Sequence, residues 1–316
     1  MDATRRKTRA AAISVISNAG LVIGKLLIGL VTGSVSVISE AIHSGIDLVA
    51  AAIALFAVRT ANRPADKAHP YGHGKIENLS GTIEAILIFL AAAWIIYEAV
   101  HKLIAATPVE MPGLGIAVMA LSALANYLVS RMLFRVGKET DSIALQADAW
   151  HLRTDVWTSA GVMLGLAAIL LSRWLFPSFS IGWLDPVAAI AVALLIIKAA
   201  WDLTRQSLRD VMDTSLPDDE QRWIVEHVRS VSGVCGFHAL RTRKAGPQRF
   251  VDLHLQVDRN LSVEVSHRLA HDIADSIEGR FGHASVTIHV EPCDGRCPPG
   301  CVEGCLIGPR LQTQKP

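Results

Sequence analysis

Ser39-Glu40-Ala41-Ile42-His43-Ser44-Gly45-Ile46-Asp47 and, far downstream, Ala147-Asp148-Ala149-Trp150-His151-Leu152-Arg153-Thr154-Asp155 are the two stretches on which the fold turns. Each lies in an apolar run of about the ~20 residues that a bilayer-spanning helix needs, and each carries a His-x-x-x-Asp. The i, i+4 spacing stacks His and Asp on one helix face about 6 Å apart, so each helix offers a nitrogen and an oxygen to a common point. Ionisable side chains near a bilayer centre cost several kcal/mol and mark ion or substrate handling. If the two faces meet, His43, Asp47, His151 and Asp155 form an N2O2 set that suits tetrahedral Zn2+ better than the all-oxygen octahedral chemistry of Mg2+, Ca2+ or Mn2+. The bland alternative is a His-Asp hydrogen bond between helices; its repetition on two separate spans weakens it.

Around these stretches the chain is an apolar front joined to a polar back. Of 316 residues 51% are hydrophobic, 19% charged and 6% aromatic, with a formal net charge of +1. Residues 1–204 carry 30 charged side chains and the shorter stretch 205–316 carries 29. The length favours two domains, and a mean hydropathy of +0.36 excludes disorder. The near-zero net charge gives no support to a nucleic-acid partner. The first apolar run, from about Ala11, has no small-residue cleavage site and is followed closely by others, so it reads as a span and not a removable signal.

Six transmembrane helices are expected at 11–32, 35–58, 77–104, 113–135, 141–172 and 182–204. Gly33 and Ser34 separate the first pair, Pro108 and Pro112 the third and fourth, and Pro177 the last pair. Asp185 before Pro186 has the form of an N-cap followed by proline at the first helical position. Lys and Arg in the short connections are divided eleven to two: Arg5, Arg6, Lys7, Arg9, Arg59, Arg63, Lys67, Lys75, Arg131, Arg135 and Lys138 on one side, Lys102 and Arg173 on the other. Positive segments stay cytoplasmic, so with an even number of spans both termini of this multi-pass membrane protein are expected in the cytoplasm. The expected division is a cytoplasmic N-terminus (1–10), a six-helix transport domain (11–204), a cytoplasmic α/β domain (205–292) and a Cys-rich tail (293–316). Lys25, Asn18, Asn126 and Glu84 are polar side chains within the spans that either line a pathway or bond between helices, and the roles of Glu40 and Asp148 stay open.

Between the second and third spans, Asp66, His69 and His73 bring metal-ligand chemistry to one loop, and spacing alone balances that reading against a plain solvated loop. Beyond Gln206 the periodicity is that of a small αββαβ domain, a layer of helices on a three-stranded sheet. Helices are expected at 217–230 and 262–281 and strands at 237–244, 249–258 and 285–291, with Val265, Leu269, Ile273 and Ile277 on the buried stripe of the second helix. Alternation places Val251, Leu253, Leu255 and Val257 in the core and His254 on the opposite face, with His289 and Glu291 exposed together on the last strand. The tail carries Cys293, Cys297, Cys301 and Cys305 at regular spacing, but Gly295, Pro298, Pro299, Gly300 and Gly304 prevent a continuous helix. In a reducing compartment four thiolates make a soft-metal site plausible, against a disordered tail with incidental cysteines. Cys235 has no evident partner in the sequence.

The paired motif, together with Gly33-Ser34-Val35-Ser36, Thr154-Asp155-Val156 and Leu240-Arg241-Thr242-Arg243, resembles the cation diffusion facilitator family over nearly the whole chain. That resemblance implies six spans, a metallochaperone-like (ferredoxin-like) cytoplasmic domain, a homodimer, and a His-Asp pair on both helices as in the zinc-transporting branch. Manganese-transporting branches carry Asp-x-x-x-Asp pairs, and an Asp in place of His43 marks relatives more permissive toward cadmium and iron. The segment His69-Pro70-Tyr71-Gly72-His73-Gly74-Lys75 matches a second metal site of relatives. His238, His254, His267, His289 and Glu291 match a binuclear site at the dimer interface, where the family has Asp in place of Glu291. Lys75 and Asp213 match an interdomain salt bridge, and a surface ion pair of that kind contributes only ~0–1 kcal/mol. The Cys tail lies outside the family pattern.

The expectation is a non-enzymatic homodimeric Zn2+/H+ antiporter that exports zinc from the cytoplasm, with Zn2+ as substrate and regulatory ligand and no organic cofactor. Neutral imidazoles and ionised carboxylates bind the ion, so proton entry weakens the site and supplies the coupling, with alternating access around it. No Walker A segment points to ATP. The rivals are an exporter of broader selectivity for Fe2+, Co2+ or Cd2+, a non-transporting membrane metal sensor, and a membrane metallohydrolase. Against the last, His267-Arg268-Leu269-Ala270-His271 has the spacing of a zinc-protease helix without its glutamate.

Overall fold

The computed structural model describes residues 3–32, 35–105, 113–175, 184–293 and 305–306, which divide between two units, Met1–Leu208 and Arg209–Pro316. Gly33, Ser34, Pro108, Pro112, Pro177, Cys297 and Cys301, and the side chain of Glu40, lie outside the described residues. The first unit holds six long helices: α1 Ala3–Thr32, α2 Val35–Ala61, α3 Lys75–Ala105, α4 Gly113–Glu139, α5 Ile143–Leu175 and α6 Leu184–Val211. Among the described residues five of them, all but α5, are long and apolar enough to cross a membrane by length and composition. The N-terminal half of α5 carries Asp148, His151, Arg153 and Asp155.

Two helices outrun their apolar cores. α1 starts at Ala3 and not near residue 11, because Arg5, Arg6, Lys7 and Arg9 are good helix formers; polarity marks where the lipid begins, not where the helix does. α6 continues past residue 204 to Val211 for the same reason. It opens at Leu184, so Asp185-Pro186 falls in its first turn. Small side chains let the helices approach closely: Ala50, Ala51, Ala54 and Ala57 of α2 are fully buried, and a Cβ at Gly29 of α1 would lie 2.7 Å from Ile38 Cγ1. The outward faces are the reverse of a soluble protein's, with Ile16, Leu27 and Leu30 of α1, Phe56 of α2 and Leu90 and Trp94 of α3 exposed. Such a surface is stable only against lipid.

Polar locks hold the ends of the bundle. Lys7 Nζ donates to Glu77 Oε1 at 2.9 Å, with both side chains buried, and the Ser142 hydroxyl donates to the other Glu77 oxygen, so α1, α3 and the start of α5 meet at one carboxylate. Glu77 lies in the first turn of α3, where the helix dipole favours an anion. The α4–α5 connection is tight: Ser142 N–H donates to Gly137 O at 2.8 Å, and Asp141 adopts a left-handed φ of 54°. This lock sets the start of α5, and with it the height of His151 and Asp155.

The second unit is α7 Asp218–Ser230, β1 Val234–Ala245, β2 Gln248–Asp258, α8 Val263–Phe281 and β3 Ala284–Cys293, in the expected αββαβ order. The sheet order is β1-β2-β3, with β1 antiparallel and β3 parallel to β2. Val251, Leu253, Leu255 and Val257 of β2 pack against Ile224 and Val228 of α7 and Ala270, Ile273 and Ile277 of α8. Ser262 caps α8 by accepting from Val265 N–H, and Gly282 ends it at φ 71°. Val265, in the first turn of α8, is exposed, contrary to the expected stripe, and Ala270 takes a place in the core.

Candidate metal sites

The His-x-x-x-Asp faces of α2 and α5 meet. The pairs are crossed: His151 Nε2 of α5 lies 3.1 Å from Asp47 Oδ1 of α2, and His43 Nε2 of α2 lies 3.8 Å from Asp155 Oδ1 of α5. Ligand atoms of His43, Asp47 and Asp155 all fall within 4.8 Å of one another. His151 touches Asp47 but falls outside that group of three; bonds of about 2.0 Å in a tetrahedron put ligand atoms about 3.3 Å apart, so the four must draw together to enclose an ion. Asp47 and His151 are buried, whereas the His43 side chain is half exposed. Thr154 and Thr158 hydroxyls donate to the carbonyls of His151 and Asp155 within α5, a back-bonding that bends helices slightly.

A cavity of about 160 Å³ opens onto this group and is lined also by Lys25, Ser44 and Asn126. Lys25 Nζ donates to Ser44 Oγ at 2.9 Å, one residue after His43, so Lys25 belongs to the wall of the site. Asn126 lines the cavity as well. Glu84 of α3 and Asp148 of α5 are both fully buried, and Asp148, one turn before His151, lies beside Ser14 of α1. Sequence reasoning left Asp148 and Lys25 without a place; only the packing of α1 against α2 and α5 supplies one.

The loop between α2 and α3 gathers Asp66, His69 and His73. Asp66 Oδ1 accepts from the backbone N–H groups of Ala68 at 2.9 Å and His69 at 2.7 Å, forming an Asx turn. His69 Nδ1 lies 3.5 Å from Asp66 Oδ1 and His73 Nε2 3.4 Å from Asp66 Oδ2, with the two rings 4.6 Å apart. The His69 N–H, ahead of the Ala68 N–H and the two imidazoles, holds the exposed Asp66 carboxyl below its ordinary value. Gly72 turns the chain at φ 83° so that His73 folds back over Asp66.

On the second unit, three histidines form a row across the sheet, since His238 of β1 is paired with His254 of β2, which is paired with His289 of β3. Their rings lie 5.0 and 4.9 Å apart. Glu291, two residues beyond His289 on the same face, spans the row, with carboxylate oxygens 2.8 Å from His254 Nδ1, 3.4 Å from His238 Nε2 and 3.8 Å from His289 Nε2. The length of the glutamate lets it cross the strand spacing. His267 lies on α8, which packs on the other face of the sheet, and its ring neighbour is His271 at 6.1 Å; within one chain it does not join the row.

Lys75 opens α3 in the first unit, and Asp213, at φ 54° in the second, lies 3.4 Å from Arg243. Of the described cysteines, Cys235, Cys293 and Cys305 are free thiols. Burial, with Cys293 beside it, pushes the Cys235 thiol up to about 11.

Comparison with known proteins places these features in a family. Residues 11–212 match the cation efflux transmembrane domain, and residues 216–293 match the cytoplasmic domain of cation efflux proteins, a dimerisation module. An uncharacterized transporter, sll1263, of Synechocystis is 38% identical over 84% of this chain and 83% of its own length. The cation-efflux pump FieF of Salmonella paratyphi A is 31% identical over 92% of this chain and 94% of its own. Among solved structures, the metal-bound C-terminal domain of the CzcD transporter from Thermotoga maritima is 30% identical over 24% of this chain and 90% of that one, with a TM-score of 0.23. With both domain matches in order along one chain and relatives aligned over most of their length, the protein belongs to the cation diffusion facilitator family of membrane cation efflux transporters.

Proposed function

We propose that this cation efflux transporter carries Zn2+ out of the cytoplasm in exchange for protons, using His43, Asp47, His151 and Asp155 as the transport site. The observation that carries the reading is the crossed approach of the two His-Asp pairs on α2 and α5 beside a polar cavity within the helical bundle. Two nitrogens and two oxygens contributed by two facing helices match the borderline character of Zn2+. Imidazole and carboxylate ligate only when deprotonated, so each proton that enters competes with the ion, and the same residues link the two fluxes. In the free site each Asp faces a His of the opposite helix. That arrangement gives an arriving proton a place to reside without leaving a bare buried charge.

In this reading both termini and the second unit lie in the cytoplasm of a plasma-membrane homodimer. Asp66, His69 and His73 bind a further ion at the membrane surface. His238, His254, His289 and Glu291 sense cytoplasmic zinc, and His267 takes part only if another chain supplies the facing surface. The test is zinc flux into proteoliposomes, comparing the unaltered protein with Asp155→Ala. Flux that vanishes in the variant while zinc still binds to the second unit supports the transport site. Equal flux in both removes these four residues from the pathway. Competition by Fe2+, Co2+ and Cd2+ in the same vesicles decides the selectivity.

A further inference from the structure

We propose that Cys235, Cys293 and Cys305 form a thiolate site for a thiophilic d10 cation of the Zn2+ or Cd2+ type, which fastens the C-terminal tail to the sheet. The site goes beyond the transport reading and uses none of its residues. The three cysteines come from three places in the chain: β1, the last residue of β3, and the tail.

The sheet brings them together. Asp258 at the end of β2 is paired with Cys293, and the neighbouring Val257 is paired with Val234 on the other side, so Cys235 and Cys293 flank the same end of the central strand. The pairing of β1 is irregular between Val234 and Gly236, leaving Cys235 as the unpaired residue of a bulge, a device that re-aims a side chain. The Cys293 and Cys305 thiols are both among its electrostatic neighbours. The tail reaches them by a backbone contact of its own. Gly236 and Cys305 form an antiparallel bridge, and Leu306 N–H donates to the Cys235 carbonyl at 2.9 Å. A tail bearing cysteines by accident has no reason to add itself to the sheet edge beside the one bulged cysteine.

The donor set is all sulfur, whereas the other three clusters are nitrogen and oxygen. Sulfur donors select soft or borderline d10 ions and leave Mg2+, Ca2+ and Mn2+ unbound. The three sulfurs are not among the groups whose ligand atoms already lie within 4.8 Å of one another, so the ion draws the thiols in as it binds. Three thiolates leave a fourth position open on the ion, the arrangement of an exchangeable site, not a closed structural one.

The test is a Co2+ titration of the reduced full-length protein in detergent, read by thiolate-to-cobalt charge-transfer absorption in the near ultraviolet, which the His, Asp and Glu sites do not produce. The expected result is a band that is lost in Cys235→Ser and in Cys305→Ser and retained in Cys297→Ser, Cys301→Ser and His43→Ala. The last variant separates this site from the transport reading, which it disables. No band in the unaltered protein overturns the proposal, as does a band that survives Cys235→Ser and disappears with Cys297 or Cys301. Should Cys235→Ser fail to fold, alkylation of the unaltered protein decides: Zn2+ is expected to abolish labelling of Cys235, Cys293 and Cys305, measured peptide by peptide. Labelling that Zn2+ leaves unchanged refutes the site.

Discussion

Replacing Asp47 by asparagine removes one anionic ligand of the proposed transport site and almost nothing else. Asp47 is 3% exposed, its Oδ1 lies 3.1 Å from His151 Nε2, and its ligand atom is within 4.8 Å of those of His43 and Asp155. Asparagine has the same shape and can still hydrogen-bond the imidazole, so α2 and α5 stay packed. Four-ligand zinc sites release about 10–16 kcal/mol, or roughly 2.5–4 kcal/mol per ligand. At 1.4 kcal/mol per factor of ten that is a loss of roughly 60- to 700-fold. A transport site must also release its ion, so the lower part of that range applies, about 100-fold. The assay is the initial rate of zinc uptake into proteoliposomes as a function of zinc concentration, with Asn126→Ala as the control that alters the same cavity without touching a ligand. The half-saturating concentration should rise about 100-fold in Asp47→Asn and stay near the unaltered value in the control. A shift within about threefold, under 1 kcal/mol, would refute the assignment of Asp47 as a ligand.

Three further outcomes follow from the packing. Lys7→Ala strips the cationic partner from a fully buried Glu77 and should cost about 3–5 kcal/mol, seen as a large fall in the thermal midpoint in detergent; Lys7→Ala with Glu77→Gln should recover part of it. Leu253→Ala opens a cavity in the centre of the second unit and should cost about 2–5 kcal/mol in denaturant unfolding of the full chain followed at Trp223, which packs against the same core. Because the Asp66 carboxyl is held below its ordinary value, the turn it closes is stabilised above that value and lost only as pH falls through the lower one; amides of Ala68 and His69 should stay protected to below pH 3.8, and Asp66→Ala should remove that protection above the transition and change little below it.

The helices and strands were legible because each satisfies a local rule. Apolar runs of bilayer length set the membrane helices, and period-two alternation set β2, whose four expected core residues are all buried. The His-x-x-x-Asp spacing made both halves of the proposed transport site readable within their own helices. Their crossed pairing was not, because it depends on the relative rotation of α2 and α5, which residues far away determine. The same limit explains Lys25 and Asp148: a polar residue in an apolar run shows that a partner exists without showing which. His254 and His289 followed from alternation, but the place of His238 beside them depends on the register of a strand with two irregularities. Cys235 had no evident partner in the sequence for that reason, since a bulge and a returning tail leave no periodic trace.

The most direct test of proton-coupled zinc transport follows both ions at once, with a zinc reporter and a pH reporter sealed inside proteoliposomes. Zinc entering without an imposed pH gradient should drive protons out and raise the internal pH; an imposed gradient, acid inside, should accelerate zinc entry, and Asp155→Ala should abolish both signals. Zinc entry that leaves internal pH unchanged and ignores the gradient would contradict the coupling that the His and Asp ligands are proposed to provide.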